Sequence, residues 1–252
     1  MARIELRKIS VQFPLYDFRA RSLKKHFLRL ATGGQVSQDA NKHVIINALN
    51  EVSLTFEHGD RVGLIGHNGA GKSTLLRLLA GIYEPTHGEM RITGTVSPML
   101  DLMQGIESEF TGYENIMMRG IILGLTRKQI LAKIDSIAEL TGLGDYLSVP
   151  IRTYSSGMLV RLAFAISANI TPDILAMDEI FGTVDAAFME QAHKKMLSLL
   201  DQSSIVVMAT HAESLLKDFC NKCVLLAAGE VKYFGSTVEA LEMYHQISRV
   251  VQ

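Results

Sequence analysis

The sequence predicts an α/β fold whose main sheet is mostly parallel, with an all-helical segment inserted into it. Short apolar strands alternate with helical stretches near residue 65 and again after residue 173, and this alternation indicates a parallel sheet with crossover helices. Between these two regions, residues 111–170 contain helix signals and no strand signal. We therefore expect one sheet-based core and one inserted helical subdomain.

The composition fits a globular protein with one large domain, or a core with a subdomain. Of the 252 residues, 48% are hydrophobic and 20% charged, which supplies enough apolar area for a core and excludes global disorder. The net charge of −1 argues against a dedicated nucleic-acid binder. Two cysteines are too few for a disulfide scaffold, so we expect a reducing cytosol. No window reaches the roughly 18 apolar residues that a membrane span needs.

In chain order, the first predicted elements are strands interrupted by a basic extension. Residues 3–13 alternate partly between apolar and polar, which predicts a strand. Residues 14–43 are polar and basic, and we predict a long loop or insertion there. The first 30 residues contain eight Lys or Arg and only two acidic residues. The next predicted elements are strands at 44–57 and 60–66, a helix at about 71–80, and one or two strands within 88–99.

Two helix starts mark the inserted segment. Thr111 with Glu114, and Thr126 with Gln129, have the capping-box spacing, in which a hydroxyl and a Glu or Gln satisfy free amides. Apolar residues recur at helical spacing after the second box, and Gly142 is the expected end of that helix.

Strands and helices alternate again after this segment. The predicted elements are a strand at 174–177, a helix at about 186–200, a strand at 205–209, a helix at about 211–219, and strands near 224–226 and 231–234. The first two strands are continuous apolar runs, which is typical of parallel strands buried on both faces.

Residues 66–74, GHNGAGKST, predict a phosphate-binding loop, since they follow an apolar strand and precede a helix. Glycines let backbone amides turn towards phosphate oxygens, and the helix start adds unpaired N–H groups. We expect Lys72 to neutralise β- and γ-phosphate charge and Ser73 to ligate Mg²⁺. The expected phosphate ligands are Gly66, Asn68, Gly69, Ala70, Gly71, Lys72, Ser73 and Thr74.

Two carboxylates follow the predicted strand at 174–177. Ligands bind at the C-terminal ends of parallel strands, so we expect Asp178 near Mg²⁺ and Glu179 orienting a water. The next strand is followed by His211, which could hydrogen-bond the γ-phosphate and that water. Lys72, Glu179 and His211 are therefore the expected catalytic residues.

Residues 154–158, YSSGM, resemble the signature motif of the ATP-binding-cassette (ABC) ATPases. With the phosphate loop, the Asp–Glu pair, Asp185 at the D-loop position and the later histidine, the ordered set resembles that family over almost the whole chain. The resemblance implies a P-loop NTPase cassette with a mainly parallel core sheet, an antiparallel β-subdomain and an inserted helical subdomain. It also implies hydrolysis of ATP with Mg²⁺ by a homodimer. In that dimer Ser155, Ser156, Gly157 and Asp185 of one copy contact the nucleotide of the other.

Residues 110–130 and 153–179 resemble the subgroup that exports polysaccharides such as O-antigen, capsule and teichoic acid. The resemblance implies an ATPase that powers export of a lipid-linked polysaccharide, which it contacts only indirectly. It implies a peripheral subunit on the cytoplasmic face of the inner membrane, bound to two copies of an integral-membrane permease. No nucleic-acid partner is expected.

The resemblance also sets the expected domain organisation. We expect an ABC ATP-binding domain at 1–236 with the helical subdomain at about 105–168, and a helical tail at 237–252 without a carbohydrate-binding domain. Within the basic extension at 14–43, residues 17–30 fit a basic amphipathic helix that contacts the membrane subunit or lipid phosphate. A solvated surface element is the alternative.

Some positions depart from the family pattern or leave alternatives open. ABC ATPases carry a Gln before the helical subdomain, and we align Asp101 with it as a metal ligand, with Gln104 as the alternative. Phe13 is expected to stack on adenine, with Tyr16 as the alternative. Ile180 replaces the usual proline, and the D-loop begins GTV. None of these departures removes a catalytic group.

Two other functions stay open at this level. An ABC subunit could serve another substrate, such as a drug or a lipid, and a soluble P-loop enzyme such as a small-molecule kinase would share the phosphate loop. The motif at 155–157 argues against a kinase, which needs an acceptor pocket instead. Cys220 and Cys223 form a CxxC without a second pair, so we interpret it as incidental.

Overall fold

The structure, a computed structural model, describes residues 1–15, 36–38, 44–178 and 186–250. The strands in these ranges are β1 (Arg3–Leu15), β2 (Val36–Gln38), β3 (Val44–Glu57), β4 (Arg61–Ile65), β5 (His87–Thr93), β6 (Val96–Met99), β7 (Ile174–Asp178), β8 (Ile205–Ala209), β9 (Lys222–Ala227) and β10 (Glu230–Ser236). The α-helices are α1 (Lys72–Leu79), α2 (Gly112–Ile122), α3 (Arg127–Thr141), α4 (Ser156–Ala168), α5 (Ala186–Gln202), α6 (Glu213–Phe219) and α7 (Thr237–Val250). Short 3₁₀ turns lie at Gly144–Ser148 and Ile151–Thr153.

The main sheet has six strands in the order β10-β9-β4-β8-β7-β6. β9, β4, β8, β7 and β6 are parallel, and β10 is antiparallel at one edge. All five residues of β8 and four of the five in β4 are buried, as expected for parallel strands covered on both faces. Because the parallel strands end at the same edge, the segments after β4, β7 and β8 meet there.

A second sheet has four antiparallel strands in the order β2-β3-β1-β5. Ile4 of its central strand β1 is opposite Phe56 of β3 and Ile92 of β5. Ile4 and Phe56 share one buried cluster with Leu64 of β4 and Leu76 of α1, so the two sheets and α1 form a common core. The expected α/β class, with a mainly parallel and an antiparallel sheet, is confirmed.

The basic extension is partly different from the prediction. We predict a loop over residues 14–43, but β1 continues to Leu15 and β2 forms within the loop. β2 pairs with β3 with Val36 opposite Ile46, which gives hydrogen-bond partners to the edge of β3. Residues 16–35 and 39–43, which include Tyr16 and the predicted helix at 17–30, lie outside the described residues.

Both predicted capping boxes are confirmed. The Glu114 amide donates to Thr111 Oγ1 at 3.2 Å, and the Thr111 amide donates to Glu114 Oε2 at 2.8 Å. This backbone hydrogen bond lowers the pKa of Glu114. Thr126 and Gln129 make the same reciprocal pair at the start of α3, which ends at Gly142 with φ 63°.

The helices α2, α3 and α4 have a buried cluster of their own, which includes Ile116, Ile130, Ile137, Leu147, Leu162 and Ile166. Phe164 and Ala168 of α4 instead pack with residues of β7, β8 and α5. α4 therefore connects the helical segment to the main sheet. None of the helices in the described part of the chain has both the length and the apolar character that a membrane span needs.

Replacing Thr126 with Ala should lower the free energy of unfolding by about 1 kcal/mol. The substitution removes the oxygen that accepts the Gln129 amide at the start of α3, and urea denaturation measures the change. The control is Lys128→Ala in the same helical turn, where the exposed side chain predicts a change within about 0.5 kcal/mol. Equal losses in the two variants would contradict the capping role.

Candidate functional site

The turn between β4 and α1 packs against neighbouring backbone. Gly66 has a φ of 148° and Gly71 a φ of 108°, both in the region that favours glycine. A Cβ on Gly66 would lie 2.2 Å from the carbonyl oxygen of Leu226, and one on Gly71 would lie 2.7 Å from that of Ala48. Backbone in the core cannot move aside, so both positions require glycine.

The start of α1 is suited to an anion. No side chain caps this helix at Gly71, and the first amides of a helix, with its dipole, attract negative charge. Lys72 is only 9% exposed, and its Nζ donates to the carbonyl oxygens of Gly66 at 2.6 Å and His67 at 3.2 Å. The ammonium group therefore lies over the loop, where it adds positive charge to that of the helix start.

A hydroxyl and a carboxylate meet beside this loop. Ser73 Oγ, in the first turn of α1, donates to Oδ2 of Asp178, the last residue of β7, at 2.8 Å. Mg²⁺ prefers oxygen ligands, and it is commonly held by one or two protein groups together with water and phosphate. The residues present therefore fit a magnesium ion next to a bound phosphate.

A pocket of about 680 Å³ opens over the loop, a volume within the usual range for small-molecule and cofactor sites. Its lining comprises Phe13, Ile46, Ala48, residues 68–74, Leu100, Asp178 and His211. Seven of the eight predicted phosphate ligands are in this lining, whereas Gly66 is not. The position of Gly66 directly after β4 instead lets the loop turn over β9.

His211 and Phe13 reach the pocket from different sheets. β8 lies beside β7 with Ala209 opposite Asp178, so His211, two residues later, lines the same pocket. Phe13 comes from β1 of the antiparallel sheet, and its ring packs edge-on against Tyr83 with centroids 5.2 Å apart. The structure thus brings together residues that are far apart in the chain.

Three apolar lining residues were missed by the sequence analysis: Ile46, Ala48 and Leu100. Ile46 and Ala48 are two positions apart in β3, so they share a face of the strand. The only sequence signal was therefore the alternation of that strand, which is also explained by core packing.

The predicted signature residues lie outside this pocket. Ser155 is the N-cap of α4, and its Oγ accepts a hydrogen bond from the Met158 amide at 3.3 Å. Ser155 and Ser156 are exposed, and apart from its chain neighbours and the backbone of its own helix, the nearest atom to a Cβ added at Gly157 would be Ser155 Oγ, 3.9 Å away. The space beside Gly157 is therefore open, and the motif presents a helix start to the surroundings.

The two alternatives for the missing Gln belong to one exposed turn after β6. Asp101 Oδ1 accepts from the Met103 amide at 2.9 Å, and its carbonyl oxygen accepts from the Gln104 amide at 3.3 Å. Neither Asp101 nor Gln104 lines the pocket, although Leu100 does, so the choice between them stays open. Residues 179–185, with Glu179, Ile180 and Asp185, lie outside the described residues.

The CxxC residues take no part in this site. Cys220 and Cys223 are free thiols in the core. Burial raises the pKa of Cys220 to about 12 and also raises the pKa of Cys223. Both thiols are therefore protonated at neutral pH, which makes them poor nucleophiles and metal ligands.

A glycine-rich loop between a central parallel strand and a helix, with a Ser–Asp pair beside it, defines a P-loop nucleotide-binding protein. A family model described as ABC transporter matches residues 49–182, more than half of the chain. The chain belongs to the ABC transporter family.

Several curated relatives are similar over most of this chain. The O-antigen export system ATP-binding protein RfbE of Yersinia enterocolitica is 43% identical over 229 residues, which cover 91% of this chain and 96% of the relative. RfbB of Klebsiella pneumoniae, with the same description, is 32% identical over 96% of this chain and 97% of its own length. The teichoic acids export ATP-binding protein TagH of Bacillus anthracis is 34% identical over 97% of this chain but only 42% of its own length. The expected subgroup is confirmed by these relatives.

Solved structures of cassettes have the same fold. An ATP-binding subunit of an ABC transporter superimposes with a TM-score of 0.68 at 20% identity, over 96% of this chain and 93% of the other. A dimeric cassette in a post-hydrolysis state with ADP and Pi has a TM-score of 0.66 at 19% identity, over 93% of this chain and 98% of the other. At these identities the likeness confirms the fold alone.

Replacing Gly66 with Ala should weaken ATP binding by about tenfold or more and lower the melting temperature, since the new Cβ meets the Leu226 carbonyl. A fluorescent ATP analogue and thermal denaturation measure the two effects. Gly59→Ala is the matched control, because Gly59 also has a positive φ, 91°, but has no atom within 4 Å of an added Cβ. We expect only a modest stability loss there. An equal loss of ATP affinity in both variants would contradict the idea that the loop depends on the close approach of Gly66 to the Leu226 carbonyl.

Proposed function

We propose that this chain is the ATP-binding and ATP-hydrolysing subunit that powers export of a lipid-linked polysaccharide. The observation that carries the proposal is the division of the predicted site. The phosphate loop, Asp178 and His211 share one pocket, while the signature residues 155–157 are exposed elsewhere at the start of α4. Such a division is what a site completed by a second copy requires. The polysaccharide substrate is supported by the relatives named for O-antigen and teichoic acid export.

The loop and the residues around it seat the nucleotide. The amides of residues 68–73 and the Lys72 ammonium hold the phosphates, and Ser73 and Asp178 hold Mg²⁺. When bound, Mg²⁺ neutralises charge on the phosphate oxygens. Phe13 stacks on adenine, which is supported by its place in the pocket lining, and Tyr16 remains the alternative.

Glu179 deprotonates the attacking water, and His211 positions it. Glu179 directly follows the metal-ligand candidate Asp178 in the sequence, and this spacing supports its role as the base. Its carboxylate accepts a proton from the water as the water oxygen bonds to the γ-phosphorus, while the bond between that phosphorus and the bridging oxygen breaks and ADP leaves with the oxygen. His211 holds the water and the γ-phosphate by hydrogen bonds.

Two copies of the chain complete each site. The exposed start of α4 offers backbone amides, the hydroxyls of Ser155 and Ser156, and the open side of Gly157 to the γ-phosphate held by the partner. Asp185 of the D-loop contributes at the same interface. ATP then bridges the two protomers and stabilises the closed dimer, and hydrolysis releases it.

The dimer works beneath an integral-membrane permease present in two copies. We place it on the cytoplasmic face of the inner membrane, with the helical subdomain at about 105–168 passing closure to the permease through the surface near residues 100–115. The ATP-binding domain extends over 1–236, and α7 begins the helical tail at 237–252. The basic residues at 17–30, within the extension at 14–43, are proposed to contact the permease or lipid phosphate, with a solvated surface element as the alternative.

Replacing Glu179 with Gln should retain ATP binding, trap the ATP-bound dimer and lower turnover by about 10²-fold or more, because an amide cannot accept the proton. Phosphate release with ATP as the only substrate measures turnover, and light scattering after size exclusion measures the dimer. Glu190→Gln, at an exposed position on α5, is the control and should behave as the wild type. Normal turnover of Glu179→Gln would refute the base, and phosphate transfer only to an added acceptor would favour a kinase.

Cells that lack this chain should accumulate the lipid-linked polysaccharide on the cytoplasmic side and lose it from the surface. The wild-type chain and Lys128→Ala should restore export, whereas Lys72→Ala should not, because it lacks the phosphate-binding ammonium. Surface labelling of the glycan and extraction of the lipid-linked form measure both pools. Restoration by Lys72→Ala, or unchanged glycan in the deletion strain, would contradict the export function.

A further inference from the structure

One charged side chain of the helical segment is buried without a carboxylate in hydrogen-bond contact. Arg119, near the end of α2, is 3% exposed. Its Nη1 donates to the carbonyl oxygen of Leu102, and its Nη2 donates to Ser167 Oγ at 3.1 Å. Nε is buried and has no acceptor. The acceptors are thus a carbonyl and a hydroxyl rather than a carboxylate.

This arrangement is costly for a residue that only fills space. Burial lowers the pKa of Arg119 to about 10, against the opposing charge of Asp101, so the group is still charged at neutral pH. A buried charge with incomplete hydrogen bonding destabilises a fold, and apolar residues of similar volume often replace such groups without loss. Packing alone therefore does not explain why an arginine occupies this position, and the two hydrogen bonds indicate a further role for Arg119.

The two acceptors belong to parts of the molecule that serve different nucleotides. Leu102 lies in the turn after β6, two residues beyond Leu100, which lines the pocket of this protomer. Ser167 lies near the end of α4, whose N-cap is the signature residue Ser155. The Ser167 hydroxyl also donates to the Ala163 carbonyl at 3.0 Å, which orients its lone pairs for Arg119. Because a rigid secondary-structure element can carry coupling between distant positions, a displacement at Ser167 can reach Ser155 at the other end of α4.

We infer that Arg119 is a positioning residue that joins the turn after β6 to the signature helix α4, so that the two move as one unit when ATP enters the pocket. The inference rests on the proposed function, in which the start of α4 acts on the nucleotide of the partner. Arg119 touches neither nucleotide. It transmits the state of one pocket to the surface that completes the other.

The test compares variants of this contact in the Glu179→Gln background, where the ATP-bound dimer can be counted. Arg119→Met keeps the stem and removes both hydrogen bonds, Arg119→Lys keeps the charge but loses the planar fork, and Ser167→Ala removes one acceptor. Arg127→Met, at the exposed first position of α3, is the matched control. In the Glu179→Gln background we measure the ATP affinity at protein concentrations too low for dimers, the ATP concentration for half-maximal dimer, and the melting temperature. In chains that retain Glu179 we measure kcat and KM.

For Arg119→Met we expect the ATP concentration for half-maximal dimer to rise and kcat to fall by about tenfold each, a typical size for coupling between sites. ATP affinity of the single protomer should stay within about twofold of the wild type, and the melting temperature should change little, because removal of the buried charge offsets the hydrogen bonds lost by Leu102 and Ser167. Arg119→Lys should show smaller changes in kcat and in the ATP concentration for half-maximal dimer than Arg119→Met. Ser167→Ala should change kcat and the ATP concentration for half-maximal dimer less than Arg119→Met does. The double variant should change them no more than Arg119→Met alone, because the two residues share one contact. Arg127→Met should match the wild type.

Normal dimerisation and kcat in Arg119→Met would overturn the inference, as would a fall in ATP affinity and melting temperature that matches the fall in kcat. If Arg119→Met does not fold, Ser167→Ala decides, and unchanged dimerisation in that variant overturns the inference. Failure of Glu179→Gln itself to dimerise with ATP would instead overturn the proposed function. Normal dimers in both Glu179→Gln and its Arg119→Met derivative would overturn only the coupling role.

Discussion

The nucleotide site depends on the close approach of Gly66 to the carbonyl oxygen of Leu226 in β9. The chain leaves β4 by passing over the neighbouring strand, which only a residue without a side chain allows. That path directs the start of α1 to the C-terminal edge of the parallel sheet, where β7 and β8 also end. The anion-binding amides, Lys72 and the Ser73–Asp178 pair therefore meet at one place. The 2.8 Å hydrogen bond of that pair then joins α1 to β7.

A second feature of the architecture is that the two predicted phosphate-binding helix starts point to different surroundings. The start of α1 lines the pocket of its own protomer, and the start of α4 is exposed, with no atom closer than 3.9 Å to an added Cβ at Gly157 apart from its chain neighbours and the backbone of its own helix. In the function that we propose, a second copy completes this site, so that ATP binding and dimer closure are linked equilibria. The buried guanidinium of Arg119 contacts Leu102 and Ser167, and in the role that we infer these contacts contribute to the linkage inside each protomer.

The elements that the sequence predicted best are those with a strong local signal. The capping boxes at Thr111 and Thr126, the glycine end of α3, and the loop at 66–74 all depend on residues within a few positions of one another. β2 was missed because its residues carry little pattern and it forms by pairing with the edge of β3. Arg119 was missed for a similar reason, since an arginine in a helix of mixed polarity gives no sign of being buried.

By itself, the sequence determined the fold class and the family, and it predicted the phosphate loop and the carboxylates at 178 and 179, since each is encoded in short-range spacing or in an ordered set of motifs. The tertiary structure decided which residues share a pocket. It placed Phe13 and His211 beside the loop through the order of strands in two sheets, and it set Asp101 and Gln104 in an exposed turn. These relations depend on strand order and on contacts between residues far apart in the chain, and neither is expressed in local patterns.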